Sequence, residues 1–449
     1  MNRDTIDFEN GRVSTLFRRI LIPTLLGSLA VSSVTAIDGI FIGHGVGADG
    51  VAAVNIVVPV YQIMSGLGLM VGAGCSVVSS IHVGRRKLKA ARMNVTQALV
   101  GTSLVCALIS AAILLWPTET ARLLGSSETL LSQVRDYLLW ITPCFIFQMW
   151  SFIGLFIIRL DGAPRMAMWC NVIPCVMNAV LDWLFIFPLG MGVKGAAIAT
   201  GISIATGGVM ALGYLLFFAR SLRPERVKWS SKSLRLSLRN IGYQCRIGSA
   251  SLLGEMTLAV LTFVGNLTFM HYLGDEGVGA FGIACYYSPF FFMIGNAVAQ
   301  SAQPIISYDF GTGRHERIRQ ALRLMLGTSV GFAVAVILGF VFFPRPLTAL
   351  FVDPQSEAGL LAIEGFPYFA AGILFYILNI ALTGYYQSLE YMRRATLIVV
   401  LRTILLVPCF LLLPLWTGTP GIWLAMPVAE MLTLGVILGG KLKRESRFR

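Results

Sequence analysis

Charged residues are scarce in this sequence. Of its 449 residues only 13% are Asp, Glu, Lys or Arg, while 56% belong to the hydrophobic set, and the mean hydropathy is +0.75. Soluble domains carry about 25% charged residues, whereas a membrane-spanning helix needs about 20 mostly apolar residues. The composition therefore excludes a soluble enzyme and suffices for about a dozen membrane spans.

Motifs of catalysis and nucleotide binding are also missing. The eight cysteines occur singly, without a CxxC pair, and the four histidines show no metal-ligand spacing. The glycines between Gly66 and Gly74 resemble a phosphate-binding loop, but no Lys-Ser or Lys-Thr pair follows them, so close helix packing is the better interpretation. We therefore expect no enzyme activity and no cofactor, and transport would have to draw on an ion gradient or a separate partner.

Twelve apolar runs bounded by charges, Gly or Pro predict transmembrane helices. They lie near residues 20–42, 52–81, 95–116, 137–158, 168–188, 196–219, 247–270, 279–302, 322–343, 365–386, 395–416 and 422–440. Cytoplasmic loops of membrane proteins are enriched in Lys and Arg, and this layout places 31 of the 35 basic residues on the side of the two termini. Both termini are therefore expected in the cytoplasm. The net charge of +13 orients the spans and does not indicate nucleic acid as a partner.

The two halves of the sequence resemble each other. Residues 47–53 (GADGVAA) recur as residues 274–280 (GDEGVGA), at an offset of 227 in the numbering, and each copy begins three positions after a histidine. Further anchors at offsets of 227 or 226 are Gly84 with Gly311, Pro188 with Pro414, and Gly195 with Gly421. Six spans separate equivalent points, so both halves have the same orientation in the membrane.

This repeat predicts two lobes. The N-terminal lobe covers residues 1–222 with spans 1 to 6 and a cation site, and residues 223–449 form a cytoplasmic linker and a C-terminal lobe with spans 7 to 12. Parallel repeats are typical of secondary transporters, in which the substrate path lies between the repeats and opens alternately to the two sides.

Four polar residues lie at neighbouring depths in the first lobe. Asp38 in span 1 and Asp182 in span 5 are each about 7 to 9 Å below the outer surface at 1.5 Å per residue. Thr200 lies at the same level in span 6, and Asn178 lies one turn deeper than Asp182 on the same helix face. Their oxygens could hold a small hard cation such as Na⁺, and the two carboxylates could instead hold a proton in common. For either aspartate alone, a position near the headgroups is the simpler alternative.

The second lobe lacks this acidic pair. The repeat places Gly265 and Pro408 at the positions that match Asp38 and Asp182, so a scaffold role shared by both lobes does not explain the two acids. A cavity whose fixed charges are acidic favours cationic or neutral amphipathic substrates.

Three other charged residues fall well inside predicted spans, away from the span ends. Glu255 in span 7 follows Arg246 by nine positions, so coupling and a structural ion pair are both open. Glu430 in span 12 has no other marked residue near it, and a structural role is the simpler interpretation. Arg402 in span 11 could extend its guanidinium toward the cytoplasmic surface.

Several segments in order resemble the multidrug and toxic compound extrusion (MATE) family of cation-coupled antiporters. They are Asp38-Gly-Ile-Phe-Ile-Gly43, Gly50-Val-Ala-Ala-Val54, Arg159-Leu-Asp-Gly162, Asn178-Ala-Val-Leu-Asp182, Gly195-Ala-Ala-Ile-Ala-Thr200, and Gln303-Pro-Ile-Ile-Ser-Tyr308 with Gly311. The resemblance runs nearly from end to end. It implies an all-α integral membrane protein with twelve transmembrane helices in two six-helix lobes that form a V around a central cavity.

The resemblance also implies a function and a site. It implies exchange of Na⁺ or H⁺ for organic cations or amphipathic compounds, which is multidrug efflux, by a monomer in a bacterial-type cytoplasmic (inner) membrane. The family's first-lobe site uses the positions that match Asp38, Asn178, Asp182 and Thr200, together with the backbone carbonyl that matches Ala196. A second-lobe site of the NorM-like branch uses an acid in span 7, which Glu255 resembles, and one in span 10. There this sequence has Asn379, so that second site lacks one of its acids.

Two alternatives remain from the sequence. One is a flippase for lipid-linked glycan precursors of the same superfamily, but such anionic cargo calls for basic residues in the cavity, and the spans offer almost none. The other is an integral-membrane transferase, which would form its product without any ion gradient.

Overall fold

The computed structural model of the protein describes residues 7–225 and 231–445. Within these residues the chain is helical and contains no strand. The helices are α1 (Val13–Gly45), α2 (Ala48–Gly84), α3 (Leu88–Leu115), α4 (Pro117–Leu123), α5 (Leu131–Ile141), α6 (Phe145–Leu160), α7 (Pro164–Ile186), α8 (Gly192–Gly213), α9 (Ser231–Thr312), α10 (His315–Phe342), α11 (Pro344–Ala349), α12 (Glu357–Ala370), α13 (Ile373–Ser388), α14 (Met392–Thr417) and α15 (Thr419–Glu445).

Twelve membrane crossings can be counted in the described residues. Eleven candidate spans are long and apolar enough to cross a bilayer, and α12 with α13, which bend by 49°, makes a twelfth. Helix α9 supplies two of them because its backbone breaks at Gly274, where φ is 65°. The prediction of an all-α membrane protein with twelve spans is confirmed.

The internal repeat extends to backbone conformation. Gly47 before α2 and Gly274 within α9 are related by the repeat offset of 227, and both have positive φ, 92° and 65°. Left-handed φ is costly for residues with a Cβ, so glycine at both break points suits the sharp turn into the next helix. The short helices α4 and α11 begin at Pro117 and Pro344, which are related by the same offset. The predicted parallel repeat is therefore present in the structure.

The described chain forms two units. The first unit contains the described residues up to Leu252 together with Pro304–Ile318, and the second contains Leu253–Gln303 and the described residues from Arg319 onward. The boundary expected from the sequence was residue 222. The difference arises because the first turns of α9 pack on first-unit helices.

Polar and close backbone contacts hold that part of α9 in the first unit. Gln244 Nε2 donates to Asn94 Oδ1 of α3 at 3.2 Å. Gly248 lies directly against the backbone of Met70 on α2. Buried polar groups need partners, so these contacts make the start of α9 a structural part of the first unit.

Small residues allow helices α2 and α6 to approach each other. A Cβ on Gly68 would lie 2.7 Å from Phe152, and one on Gly72 would lie 2.9 Å from Phe156. Small residues at helix contacts are the rule inside membranes, where van der Waals packing drives association. The interpretation of the glycine run as a packing surface is therefore confirmed for these two positions.

The N-terminal segment, residues 7–11, is bound to α9 and α10 within the first unit. Arg317 donates to the carbonyl oxygens of Gly11 and Phe8 at 2.9 and 3.0 Å. Its Nε also donates to both carboxylate oxygens of the fully buried Asp309, at 2.9 and 3.0 Å. One guanidinium thus ties the segment to the end of α9, which suits the planar, multi-donor geometry of arginine.

Candidate functional site

A cavity of about 310 Å³ lies within the first unit. Helices α1, α2, α5, α6, α7 and α8 contribute to its wall. Its polar lining includes Asp38, Asn55, Tyr61, Tyr137, Gln148, Ser151, Asn171, Asn178, Thr200 and Ser203. Among the described residues that line it, none is Lys or Arg. The cavity therefore combines one carboxylate with amides, phenols and hydroxyls.

Local sequence shapes the wall formed by α7. Pro174 lies inside this helix and lines the cavity together with Cys170. Because proline has no N–H, the carbonyl of the residue four positions earlier, Cys170, loses its helical donor. The cavity wall thus contains an interruption of the helical hydrogen bonds of α7, on the same helix as Asn178.

The two aspartates predicted from the sequence meet at this cavity. Asp38 of α1 lines it, and Asp182 of α7 lies behind the wall with 1% exposure. Their carboxyl groups lie close enough to interact with each other, and Asn178 Nδ2 donates to Asp182 Oδ2 at 2.8 Å. Two carboxyl groups can hydrogen-bond only if one carries a proton. Neighbouring carboxyl groups of this kind can share one proton.

Three oxygens of the site are buried without a hydrogen-bond partner. They are Asp38 Oδ1, Asn178 Oδ1 and Asp182 Oδ1. Buried polar atoms are nearly always paired, and each exception calls for an explanation. Carboxylate and amide oxygens are ligands of small hard cations, so the residues fit either Na⁺ or a proton.

Thr200 and Ala196 differ in their relation to the cavity. Thr200 lines it and lies near the Tyr137 hydroxyl. Ala196 lies one turn earlier on α8 with 1% exposure and is part of the packed core beside the cavity. The structure therefore brings Asp38, Asn178 and Thr200 to the cavity wall, with Asp182 directly behind them.

Two phenols and one amide of the lining were absent from the sequence-based site. Gln148 Nε2 donates to Ser65 Oγ at 2.9 Å, and the Tyr61 hydroxyl lies near both side chains. Tyr137 contacts Thr200 as described above. All three lie within predicted spans, where a polar group needs a partner or a function. The same criterion that selected the aspartates would have selected them.

Of the residues predicted for a second-lobe site, Asn379 is hydrogen-bonded to another acid of the second unit, Glu430. Asn379 Nδ2 donates to the Glu430 carbonyl oxygen at 2.9 Å and to Glu430 Oε2 at 2.7 Å. Glu255 lies within electrostatic range of Tyr376 and joins none of the ion pairs found among the described residues. The extension of Arg402 to the membrane surface was wrong, because its side chain is 2% exposed and pairs with Glu430.

Comparison with known proteins identifies the family. The family model described as MatE matches residues 23–184 and again residues 250–411. The chain belongs to the MATE family. The starts of the two matches differ by 227 in the numbering, which is the offset of the internal repeat. The resemblance noted from the sequence is thus confirmed, and the protein is a multi-pass membrane transporter.

Similar proteins cover nearly the whole length of this MATE transporter. It is 26% identical over 441 residues to an FAD transporter of Shewanella oneidensis, with 94% of each chain covered. It is 23% identical over 432 residues to the multidrug export protein MepA of Staphylococcus aureus, with 95% of this chain and 92% of MepA covered.

Solved structures share the fold. The MATE transporter VcmN of Vibrio cholerae superposes with a TM-score of 0.87 at 21% identity, covering 96% of this chain and 97% of VcmN. A transporter of the MOP superfamily from Pyrococcus furiosus superposes with a TM-score of 0.88 at 19% identity, covering 98% of both chains.

Proposed function

We propose that this MATE transporter is a secondary active exporter that exchanges Na⁺ or H⁺ for organic cations or amphipathic compounds. The observation that carries the proposal is the pair of neighbouring carboxyl groups, Asp38 and Asp182, at a polar, aromatic cavity. A site with this negative charge attracts cations of either kind.

Coupling would follow from competition for the same carboxylates. A proton or Na⁺ on the pair neutralises charge that would otherwise be costly in the membrane interior. Occupancy shifts the transporter between its states only if the two states differ in affinity for the ion. An organic cation at Asp38 and a coupling ion at the pair would therefore bind alternately.

The lining supports organic cations as substrates. Tyr61 and Tyr137 present aromatic rings beside Asp38, and cations bind favourably over such rings. The cavity volume of about 310 Å³ lies within the range of about 300 to 1,000 Å³ usual for small-molecule sites. The similarity to the multidrug export protein MepA supports the same substrate class.

A second candidate substrate comes from the similarity to an FAD transporter. FAD combines aromatic rings, which this lining would suit, with a diphosphate. The diphosphate calls for basic groups, and among the described lining residues none is Lys or Arg. We therefore rank organic cations first.

We further propose that both termini lie in the cytoplasm and that the protein acts as a monomer in a bacterial-type inner membrane. The steep bias of basic residues toward one set of loops supports this orientation. Cysteine labelling of residues in the terminal tails and in the Arg122 and Arg345 loops tests it.

The functional test is transport in proteoliposomes of purified protein. A fluorescent organic cation should accumulate against its gradient when either a Na⁺ gradient or a pH gradient is imposed, and not when neither is present. Transport of FAD in place of the dye would favour the second candidate. Dye movement that is independent of both gradients would contradict secondary active export, and product formation without a gradient would indicate a transferase.

A further inference from the structure

The second unit buries a complete ion pair. The side chains of Arg402 on α14 and Glu430 on α15 are each 2% exposed, and Arg402 Nε donates to both carboxylate oxygens at 2.9 and 2.8 Å. The guanidinium also lies over the Tyr376 ring, 4.6 Å from its centroid. A charge in the membrane interior is costly unless it is neutralised. Glu430 therefore already has the cation that it requires.

Backbone conformations align α14 with α7 of the first unit. Glu390 lies two positions before α14, and Gly162 lies two positions before α7. Both have positive φ, 60° and 90°, and their numbers differ by 228. Gly418 and Gly192, next to the start of the following helices, have φ of 67° and 58° and are related by an offset of 226. Within these offsets, Arg402 corresponds to residues 174–176 of α7.

Three members of the cluster, Arg402, Glu430 and Asn379, occupy positions whose first-unit counterparts lie in the cavity wall. Pro174, in the stretch that corresponds to Arg402, lines it. Glu430 corresponds to Ile204 at an offset of 226, and Asn379 corresponds to Phe152 at an offset of 227; both counterparts line the cavity as well. At positions related by the internal repeat, the first unit thus has a cavity lined by Asp38, and the second unit has a buried ion pair.

We propose that the Arg402 guanidinium acts as a tethered cation, which permanently occupies the second unit's counterpart of the first-unit cavity and excludes a free coupling ion from it. Of these two corresponding places, only the one in the first unit, whose paired aspartates have no basic partner in the described part of the chain, would then take up an ion during transport. This consequence rests on the proposed function, whereas the tethered cation is a property of the second unit alone.

The cluster contains what a free cation would need after removal of the guanidinium. Glu430 supplies the negative charge and Tyr376 the aromatic face. Asn379 is fully buried, and its Oδ1 has no hydrogen-bond partner. Arg402→Ala would leave a space with the shape of the lost side chain, which should accept methylguanidinium.

Thermal melting of purified protein tests this latent site. The background carries Asp38→Asn and Asp182→Asn, so that the first unit does not respond to cations. In this background we expect methylguanidinium to raise the melting temperature of the Arg402→Ala protein by about 2 °C or more. No rise should occur with Arg402 intact or with Arg402→Ala combined with Glu430→Gln. An absent rise in the Arg402→Ala protein, or equal rises in all three proteins, would overturn the proposal.

A second variant keeps the proposal testable if Arg402→Ala does not fold. Replacing a buried ion pair by apolar residues of similar volume is often tolerated, whereas removal of one partner is not. Arg402→Met with Glu430→Met, in an otherwise unchanged protein, should fold and keep the ion dependence of transport. A changed ion dependence of transport, or failure of this double variant to accumulate, would contradict the proposal that Arg402 and Glu430 neutralise each other and take up no ion. The melting experiment involves no transport, so its outcome stands even if gradient-driven export is not observed.

Discussion

Asn178 Nδ2 donates a 2.8 Å hydrogen bond to Asp182 Oδ2, one helical turn further along α7. This bond orients Asp182 so that its carboxyl group meets that of Asp38 across the helix contact between α1 and α7. The amide thus positions a carboxylate that the cavity itself does not expose.

Asn178→Ala should weaken coupling without unfolding the protein. A hydrogen bond to a charged group is worth about 1.5 to 3 kcal/mol, so we expect about a tenfold or larger loss of gradient-driven dye export. Val180→Ala is the matched control, since Val180 lies on the same helix and is 57% exposed. Equal export by the two variants, measured in proteoliposomes, would argue against a positioning role for Asn178.

Asp161 should matter for stability because it anchors the chain that leaves α8. Its carboxylate accepts hydrogen bonds from the backbone N–H groups of Ser221 and Leu222 at 2.8 and 3.1 Å and from the Tyr214 hydroxyl at 3.0 Å. Asp161→Ala leaves these donors unpaired, and we expect a loss of about 1 to 3 kcal/mol, visible as a lower melting temperature.

The control for Asp161 is Asp136→Ala. The Asp136 side chain is 44% exposed and lies 3.6 Å from Arg135, and such surface pairs contribute about 0 to 1 kcal/mol. A melting temperature for Asp161→Ala no lower than that of the control would show that the backbone bonds contribute little.

Two glycine substitutions, one at the contact between α2 and α6 and one away from it, should differ in their effect on stability. Gly72→Ala forces a Cβ to within 2.9 Å of Phe156, and overpacking of this kind costs about 1 to 3 kcal/mol. Gly331→Ala on α10 meets no atom within 4 Å, and alanine is favoured over glycine in helices by about 1 kcal/mol. The melting temperature should therefore fall for Gly72→Ala and should not fall for Gly331→Ala. The reverse order would refute the packing role of Gly72.

Arg317→Ala should release the N-terminal segment. Three of the groups that Arg317 contacts, Asp309 and the carbonyls of Phe8 and Gly11, lose their donor in this variant. We expect trypsin to cleave after Arg12 several-fold faster in this variant, as measured by mass spectrometry of the fragments. Arg317→Lys should only partly restore protection, because lysine lacks the planar guanidinium group with its several donors. Arg323→Ala, which removes an exposed arginine of α10, is the control. Unchanged cleavage in the Arg317 variant would mean that other contacts hold the segment.

Span number, the repeat and the shared depth of the polar residues were predictable from the sequence. Each depends on the length of an apolar run or on counting residues from its end, which are local properties of the chain. That reasoning placed Asp38, Asn178 and Thr200 at neighbouring depths, and all three line the cavity.

Side-chain partners on different helices were not predictable in the same way. The pairing of Arg402 with Glu430 depends on the rotation of α14 and α15 about their axes, which residue counting along a span does not specify. The unit boundary likewise depends on contacts such as that between Gln244 and Asn94, which lie far apart in the chain.

The most direct test of the central claim is gradient-driven dye export by Asp38→Asn and Asp182→Asn proteins in proteoliposomes, beside Asp136→Asn as a control with an exposed acid. The paired-carboxylate account predicts that both cavity variants, at normal expression, lose export driven by the Na⁺ or pH gradient while the control retains it. Normal gradient-driven export by both cavity variants would contradict the account.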